Sequence, residues 1–157
     1  MHIIVRSLIV ATGFMGASAH AQISVQDPWV RATVSQQKAT GAFMRLSSPK
    51  AVKFVSVSSP LTPTVEVHEM AMQGEVMRMR RVESVDLPAG QRVELKPGGY
   101  HIMLLNLNRQ VKEGDVVPLT LVFEHQGGDR ETLDIKAPVR ALNHAPRKTD
   151  DSQQHGH

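Results

Sequence analysis

The amino-acid sequence predicts an all-β fold of antiparallel strands, and three observations lead to this prediction. After residue 21 the chain divides into short apolar segments with alternating polar residues, which is the pattern of β-strands. These segments are separated by stretches such as SSPLTP, LPAG, KPGG and QGGD, which supply the residues that turns require. No stretch shows a sustained helical period with caps at its ends.

The predicted strands are short and follow one another at regular intervals. They are ISV and WVRATV near the start, followed by residues 41–46, 51–57, 64–72, 75–85, 91–96, 100–107, 117–125 and 131–137. Strands of this length and spacing are typical of an antiparallel sandwich or a small Greek-key barrel of Ig-like or cupredoxin-like type. The 157 residues of the chain are enough for one such domain and hardly for two.

The start of the chain, residues 1–21, has the pattern of a secretory signal peptide. A basic residue, Arg6, precedes an apolar run and then a group of small residues, and the segment is too short to span a membrane. We expect cleavage after Ala21. Cleavage after Ala19, which would leave His20 as the first residue, is the alternative.

The rest of the chain is expected to form one domain and a tail. Residues 22–140 contain the predicted strands, whereas residues 141–157 are polar and lack apolar periodicity, which is typical of disordered segments. No segment after the signal peptide is apolar enough to cross a membrane. We therefore expect a soluble, exported monomer without stable membrane insertion.

The composition excludes several classes of function. The sequence contains no cysteine, so it offers no disulfide, no thiolate ligand and no Cys-His catalytic pair. It also lacks the G-x-S-x-G motif of a nucleophile elbow. Removal of the signal peptide would leave 17 basic and 15 acidic residues, a net charge of +2. A charge this small, without a basic run that contains aromatic residues, argues against nucleic-acid binding.

A group of methionines marks residues 65–80, VEVHEMAMQGEVMRMR, which hold four of the eight methionines beside one histidine. Side chains alternate between the two faces of a strand. Val65 and Val67 can therefore enter the core together only if His68 faces away from it. Methionine usually fills gaps in a core, so its position on this polar face needs another explanation.

We predict that this region forms a β-hairpin with Gln73-Gly74 as its two-residue loop. Met79 would then lie directly opposite His68, and Met77 opposite Met70. Directly opposed side chains have Cβ atoms roughly 4.5–5.5 Å apart. That is close enough for an imidazole nitrogen and a thioether sulfur to bind one ion.

A second pair of potential ligands lies in GGYHIMLLNL, where His101 and Met103 share one face of a predicted strand. If this strand lies beside the hairpin, the two side chains converge with His68 and Met79. Thioethers are soft, uncharged ligands that favour Cu(I), whereas zinc normally takes thiolate or carboxylate beside histidine. The four residues together predict a four-coordinate Cu(I) site. A blue-copper centre is excluded because it needs a cysteine thiolate.

The spacing of these residues resembles the motif of the PCuAC family of periplasmic copper chaperones. That motif is a histidine, ten residues, a methionine, twenty-one residues and then His-x-Met, and His68, Met79, His101 and Met103 satisfy every interval. The segments DPWVRAT, KATGAFMRL and VMRMR also resemble the family's opening strands and motif region. The likeness covers most of residues 22–138.

The resemblance implies a cupredoxin-like β-barrel without a blue-copper site, and a location in the periplasm. A protein of this kind is not an enzyme. It carries Cu(I) and hands it over for assembly of the CuA centre in cytochrome c oxidase subunit II, often alongside a Sco-type protein. Some members have a C-terminal extension that takes Cu(II). The tail of this chain contains three candidate ligands for such a site, His144, His155 and His157, and no methionine.

Several alternatives remain open at the level of sequence. Met70, Met72 and Met77 share the predicted metal-binding face, where they could form an apolar collar around the copper or act as additional ligands. The same main site would serve a copper scavenger that stores the ion rather than delivers it. A copper enzyme with His20 at its N-terminus and a non-metal Ig-like interaction module are two further readings.

Overall fold

A computed structural model of the chain describes residues 22–143 and contains ten β-strands in this range. The strands are β1 (Ser24–Arg31), β2 (Thr40–Ser47), β3 (Val52–Ser58), β4 (Thr64–Gln73), β5 (Val76–Val82), β6 (Val85–Leu87), β7 (Arg92–Leu95), β8 (His101–Leu105), β9 (Val116–His125) and β10 (Arg130–Arg140). The predicted signal peptide with its cleavage site, and the tail histidines His144, His155 and His157, lie outside the described residues. Between residues 22 and 143 there is no helix that could cross a membrane.

The strands form one sheet with the order β5-β4-β8-β2-β1-β10-β9-β3-β6, and β7 pairs with β2. This confirms the predicted all-β fold, with two corrections. The first strand, β1, pairs in parallel with the last strand, β10, so the sheet is mixed rather than purely antiparallel. Parallel pairing is possible here because the rest of the domain connects the two strands. The strand path is also open, ending at β5 and β6, and does not close into a barrel.

The predicted strand over residues 75–85 is two strands in the structure. β5 ends at Val82 and β6 begins at Val85, and these strands lie at opposite ends of the strand order. Val85 and Leu87 are buried where β6 pairs with β3. The aliphatic residues of β5, Val76 and Val82, and those of β6, Val85 and Leu87, have opposite parity in the sequence, so the apolar alternation changes at the break, Glu83-Ser84.

The core is formed by aliphatic and aromatic side chains from both halves of the strand path. Phe54 of β3 and Phe123 of β9 are fully buried, with ring centroids 5.3 Å apart. Val67 of β4 directly opposes Ile102 of β8, and both are buried. Burial of each such side chain stabilises the fold by roughly 1.5–3 kcal/mol. The core therefore fixes how β4 pairs with β8.

The hairpin of β4 and β5 has a different turn from the predicted one. Gln73 pairs with Val76, so the loop is Gly74-Glu75 rather than Gln73-Gly74. Gly74 has a φ of +63°, whereas Glu75 does not adopt positive φ. This is the arrangement of a type II′ turn, which has glycine at the first loop position. The pairing of β4 with β5 is therefore shifted by two residues from the predicted register.

Candidate metal centre

Two histidines on neighbouring strands form the centre of the candidate site. His68 of β4 directly opposes His101 of β8, and their ring centroids are 6.1 Å apart with 52° between the ring planes. One residue further along each strand, Val67 and Ile102 enter the core. Because side chains alternate, the two imidazoles share the other face of the sheet. The prediction that the strand with His101 lies beside the hairpin is confirmed.

Hydrogen bonds leave one nitrogen of each neutral imidazole with a free lone pair. Nδ1 of His101 lies 2.9 Å from the carbonyl oxygen of Gly99, so Nδ1–H donates and the lone pair is on Nε2. Nε2 of His68 lies 2.8 Å from Oε2 of Glu66, so Nε2–H donates and the lone pair is on Nδ1. Within residues 22–143, this Nδ1 is buried and has no hydrogen-bond partner. A buried lone pair without a partner is unusual and fits a metal ligand.

Met103 lies beside the histidine pair on the same face of the sheet. It follows His101 by two residues on β8 and directly opposes Glu66 of β4. Glu66 thus lies in the row of Met103, and its carboxylate reaches the imidazole of His68 in the neighbouring row. In this position it can orient His68 through the hydrogen bond while the thioether stays on the ligand face.

The predicted direct pairing of Met79 with His68 is wrong. Met79 directly opposes Met70, whereas His68 opposes Arg81, because the loop is Gly74-Glu75. A shift of two residues keeps every side chain on its face, so Met79 still shares a face with His68. Met79 and His68 are diagonal neighbours, and the Cα atoms of such neighbours are roughly 7–8 Å apart. This distance is within reach of a long, flexible side chain.

The four predicted ligands differ in their exposure to solvent. His101 is 5% exposed, His68 and Met103 are partly buried, and Met79 on the edge strand β5 is 49% exposed. The imidazole side of the site therefore lies within the protein. The thioether of Met79 lies at the surface, where it can meet an incoming ion or protein.

Aromatic side chains close the site on the side of β2. Gly41 of β2 pairs with Met103, and the Phe43 ring lies over this glycine, where a Cβ would come within 2.7 Å of its Cζ. The ring centroid of Phe43 is 6.4 Å from that of His101 and 4.6 Å from that of Trp29. Glycine at position 41 thus leaves room for an apolar ring that keeps water from this side of the imidazole.

Sequence analysis missed two of these residues, Glu66 and Phe43. The sequence does indicate that Glu66 can contact His68, because Glu66 precedes His68 by two residues and strand alternation places both side chains on one face. The role of Phe43 depends on the pairing of β2 with β8. Nothing in the local pattern around Phe43 indicates that pairing.

The other predicted methionines share the face of the histidines, as expected. Met70 opposes Met79, and Met72 opposes Met77 next to the turn. In the part of the chain that the structure describes, no three histidine, aspartate or glutamate side chains are grouped closely enough to hold a metal ion. A metal bound here would therefore need thioether ligands.

The opposite face of the same strands carries paired polar groups. Arg80 of β5 forms an ion pair with Glu69 of β4. Burial raises the pKa of Tyr100, and the charge of Glu69 and a hydrogen bond to it raise this pKa further. The Tyr100 hydroxyl therefore stays protonated. Although Tyr100 precedes His101, strand alternation directs it away from the histidine face, so it is not a ligand there.

The fold and the site together define a class of protein: an all-β domain with two imidazoles beside thioethers on one accessible sheet face. The family model described as "Putative lipoprotein LpqE-like" matches residues 23–139, and the chain belongs to this LpqE-like family, which is part of the PCuAC group. The resemblance to the PCuAC family found in the sequence is thereby confirmed.

The chain is similar over most of its length to proteins known from sequence and to solved structures. It is 26% identical to "Putative lipoprotein Lxx21020" of Leifsonia xyli subsp. xyli over 146 residues, 85% of this chain and 86% of the relative. The structure "Copper-bound PCuAC domain from PmoF2" has a TM-score of 0.61 and 27% identity, over 76% of this chain and 92% of that one. The "Solution structure of CuI-DR1885 from Deinococcus Radiodurans" has a TM-score of 0.60 and 30% identity, over 79% and 83%. The chain is thus homologous to domains with solved copper-bound structures.

The hydrogen bonds of the two histidines make a prediction about their tautomers. At alkaline pH, where imidazoles are neutral, His101 should carry its proton on Nδ1 and His68 on Nε2. Long-range proton–nitrogen correlation spectra of the imidazole rings distinguish the two tautomers. His125 is the matched control, because its Nε2 lies 2.8 Å from Oε2 of Glu131 and it should resemble His68. An Nε2–H tautomer at His101 would contradict the geometry.

Proposed function

We propose that this protein is a periplasmic Cu(I) chaperone that binds one ion through His68, Met79, His101 and Met103. The observation that carries the proposal is the pair of directly opposed imidazoles, in which the buried Nδ1 of His68 has no hydrogen-bond partner among the described residues. Homology to copper-bound PCuAC domains supports it. The description of the family as lipoproteins supports export.

The chemistry of the four side chains selects the ion. Two imidazole nitrogens and two thioether sulfurs are neutral and soft to borderline ligands, a set that suits a monovalent copper ion and gives hard divalent cations little stabilisation. Glu66 would act through His68 rather than on the ion. A carboxylate that accepts the ring N–H of a ligand histidine fixes the orientation of the ring and raises its basicity.

The contrast in exposure supports carriage rather than permanent retention of the ion. The buried ring of His101 is held by its bond to Gly99, whereas Met79 lies half-exposed on an edge strand. A ligand from an acceptor would displace the thioether of Met79 first and the imidazoles afterwards. One bond to copper forms as another breaks, and the oxidation state of the ion does not change.

Variants of the proposed ligands should lose Cu(I) affinity selectively. We expect His68→Gln and Met79→Leu each to weaken binding by at least about tenfold, since even residues that only support a ligand contribute this much. Competition of the mature chain with a chromophoric Cu(I) chelator measures the affinity. His125→Gln is the control, because His125 pairs with Glu131 outside the site. Less than one tightly bound ion, or equal losses in all three variants, would refute the site.

The role of Glu66 can be separated from that of the ligands. Glu66→Gln should lower the Cu(I) affinity by about 10- to 100-fold, because an amide does not stabilise the His68 ring as a carboxylate does. The control is Glu131→Gln, which alters an equivalent 2.8 Å contact to His125. X-ray absorption of the loaded Glu66→Gln protein should still report two sulfur and two nitrogen ligands. A change in that ligand set would mean that Glu66 itself binds the ion.

We further propose that the acceptor is the CuA site of cytochrome c oxidase subunit II, with a Sco-type protein as a partner in the transfer. A storage protein would use the same ligands, so the test lies in the cell. Deletion of the gene should lower CuA occupancy at ordinary copper levels. Unchanged CuA occupancy together with reduced copper tolerance would instead assign the protein to storage.

A further inference from the structure

The hairpin of β4 and β5 carries more thioether groups than the proposed site uses. Six methionines lie within residues 22–143, and four of them form two directly opposed pairs on one sheet face, Met70 with Met79 and Met72 with Met77. Met72 is 61% exposed and Met77 48%. Exposed methionine adds little to the core and is open to oxidation. Two exposed, opposed thioethers at the tip of a hairpin therefore indicate a use other than packing.

The turn places these pairs where the side chains are closest. In a hairpin with a two-residue loop, the residues flanking the loop, Gln73 and Val76, form a hydrogen-bonded pair. Antiparallel pairs then alternate in type, so Met72 and Met77 form a non-hydrogen-bonded pair. The Cα atoms of such a pair are about 4.5 Å apart and their side chains approach each other closely. Two thioether sulfurs can therefore meet on one ion.

The exposed pair is continuous with the proposed copper site. Along β4, Met72, Met70 and His68 succeed one another at intervals of two residues, so they share one face. Each step covers roughly 6.8 Å along the strand. The pair of Met70 with Met79 thus lies between the tip of the hairpin and the imidazoles. An ion could move from tip to site without leaving sulfur ligands.

The charges of the hairpin do not oppose a cation. Three glutamates and three arginines lie between residues 64 and 82, so the segment is neutral overall. Arg80 forms an ion pair with Glu69 on the opposite face. Arg81 also forms an ion pair, with its Nη1 3.8 Å from Oε1 of Glu66. A monovalent ion approaching the tip therefore meets neutral thioethers without a strong positive field.

We propose that Met72 and Met77 form a second, weaker site for a soft monovalent ion, Cu(I) or Ag(I), at the tip of the hairpin. The ion would pass from this tip site through Met70 and Met79 to the histidines, which rests on the proposed function of the main site. In each step one sulfur lone pair binds the ion as another is released. No electron or proton is transferred, so no co-reactant is needed.

Silver titration of the mature chain with ¹³C-methyl methionine tests whether the tip site exists. Ag(I) has the same charge and softness as Cu(I) and is stable in air. The first equivalent should shift the methyl signals of Met79 and Met103, and further equivalents those of Met72 and Met77. The core residue Met44, 2% exposed, is the internal control. If Met72 and Met77 do not shift at any excess of Ag(I) after the main site has filled, the tip site does not exist.

Loading kinetics test whether the tip site is used. The double variant Met72→Leu with Met77→Leu keeps the exposed apolar surface but removes both sulfurs. Loading from a Cu(I) chelate in a stopped-flow instrument should slow on the order of tenfold, because the local concentration of the ion is lost. The equilibrium affinity of the main site should remain within about twofold, as expected for exchange at an exposed position. Val76→Leu, another exposed position on β5, should load at the wild-type rate.

The two experiments separate the inference from the proposed function. A main site that fills at the wild-type rate in the double leucine variant overturns the role of the tip site and leaves the copper chaperone intact. Failure of the methyl signals of Met79 and Met103 to respond to any amount of Ag(I) overturns the proposed function instead. Slow loading of the double variant together with shifts at Met72 and Met77 supports the tip site.

Discussion

The pairing of β4 with β8 is the constraint on which the rest of the site depends. Val67 and Ile102 oppose each other and are both buried, so the core holds the two strands in one register. A slip of β4 by one residue against β8 would turn Val67 toward the outer face and His68 inward. His68 and His101 therefore meet because of apolar burial. Core packing thus holds the two imidazoles in place, which lowers the cost of ordering them on binding.

The proposed site has two parts: imidazoles that hydrogen bonds hold in place, and a thioether that is exposed on the edge strand. Hydrogen bonds to Gly99 and Glu66 set the tautomers of the two imidazoles, and Phe43 packs beside His101. In contrast, β5 is the terminal strand of the sheet formed by residues 22–143, and its methionines Met77 and Met79 are exposed. A carrier must hold its ion selectively and still release it. In the proposed site, buried imidazole nitrogens and the exposed thioether of Met79 would provide both properties.

Strand alternation correctly predicted the face of the candidate ligands on β4, β5 and β8, but it could not predict the register. The predicted and observed hairpins differ by two residues, and a shift of two leaves every side chain on the same face. The deciding information lay in the turn, where Gly74 occupies the first loop position at a φ of +63°. The parallel pairing of β1 with β10 and the place of Phe43 were also hidden, because both depend on contacts between segments distant in sequence. The motif spacing indicated which side chains are candidate ligands, but it did not indicate their geometry.

Exposed methionines on an edge strand carry a cost, and the sequence of β5 offsets it. A strand at the end of a sheet presents unpaired backbone groups, and apolar side chains on it favour pairing with another copy of the chain. Arg78, Arg80 and Arg81 lie on this strand, and such charges oppose edge-to-edge association because two copies would bring like charges together. Within one molecule, Glu69 and Glu66 of β4 form ion pairs with Arg80 and Arg81. These glutamates lie on β4, one strand further from the edge than the arginines. The thioethers can therefore remain exposed on this edge while the arginines oppose its pairing with a second copy.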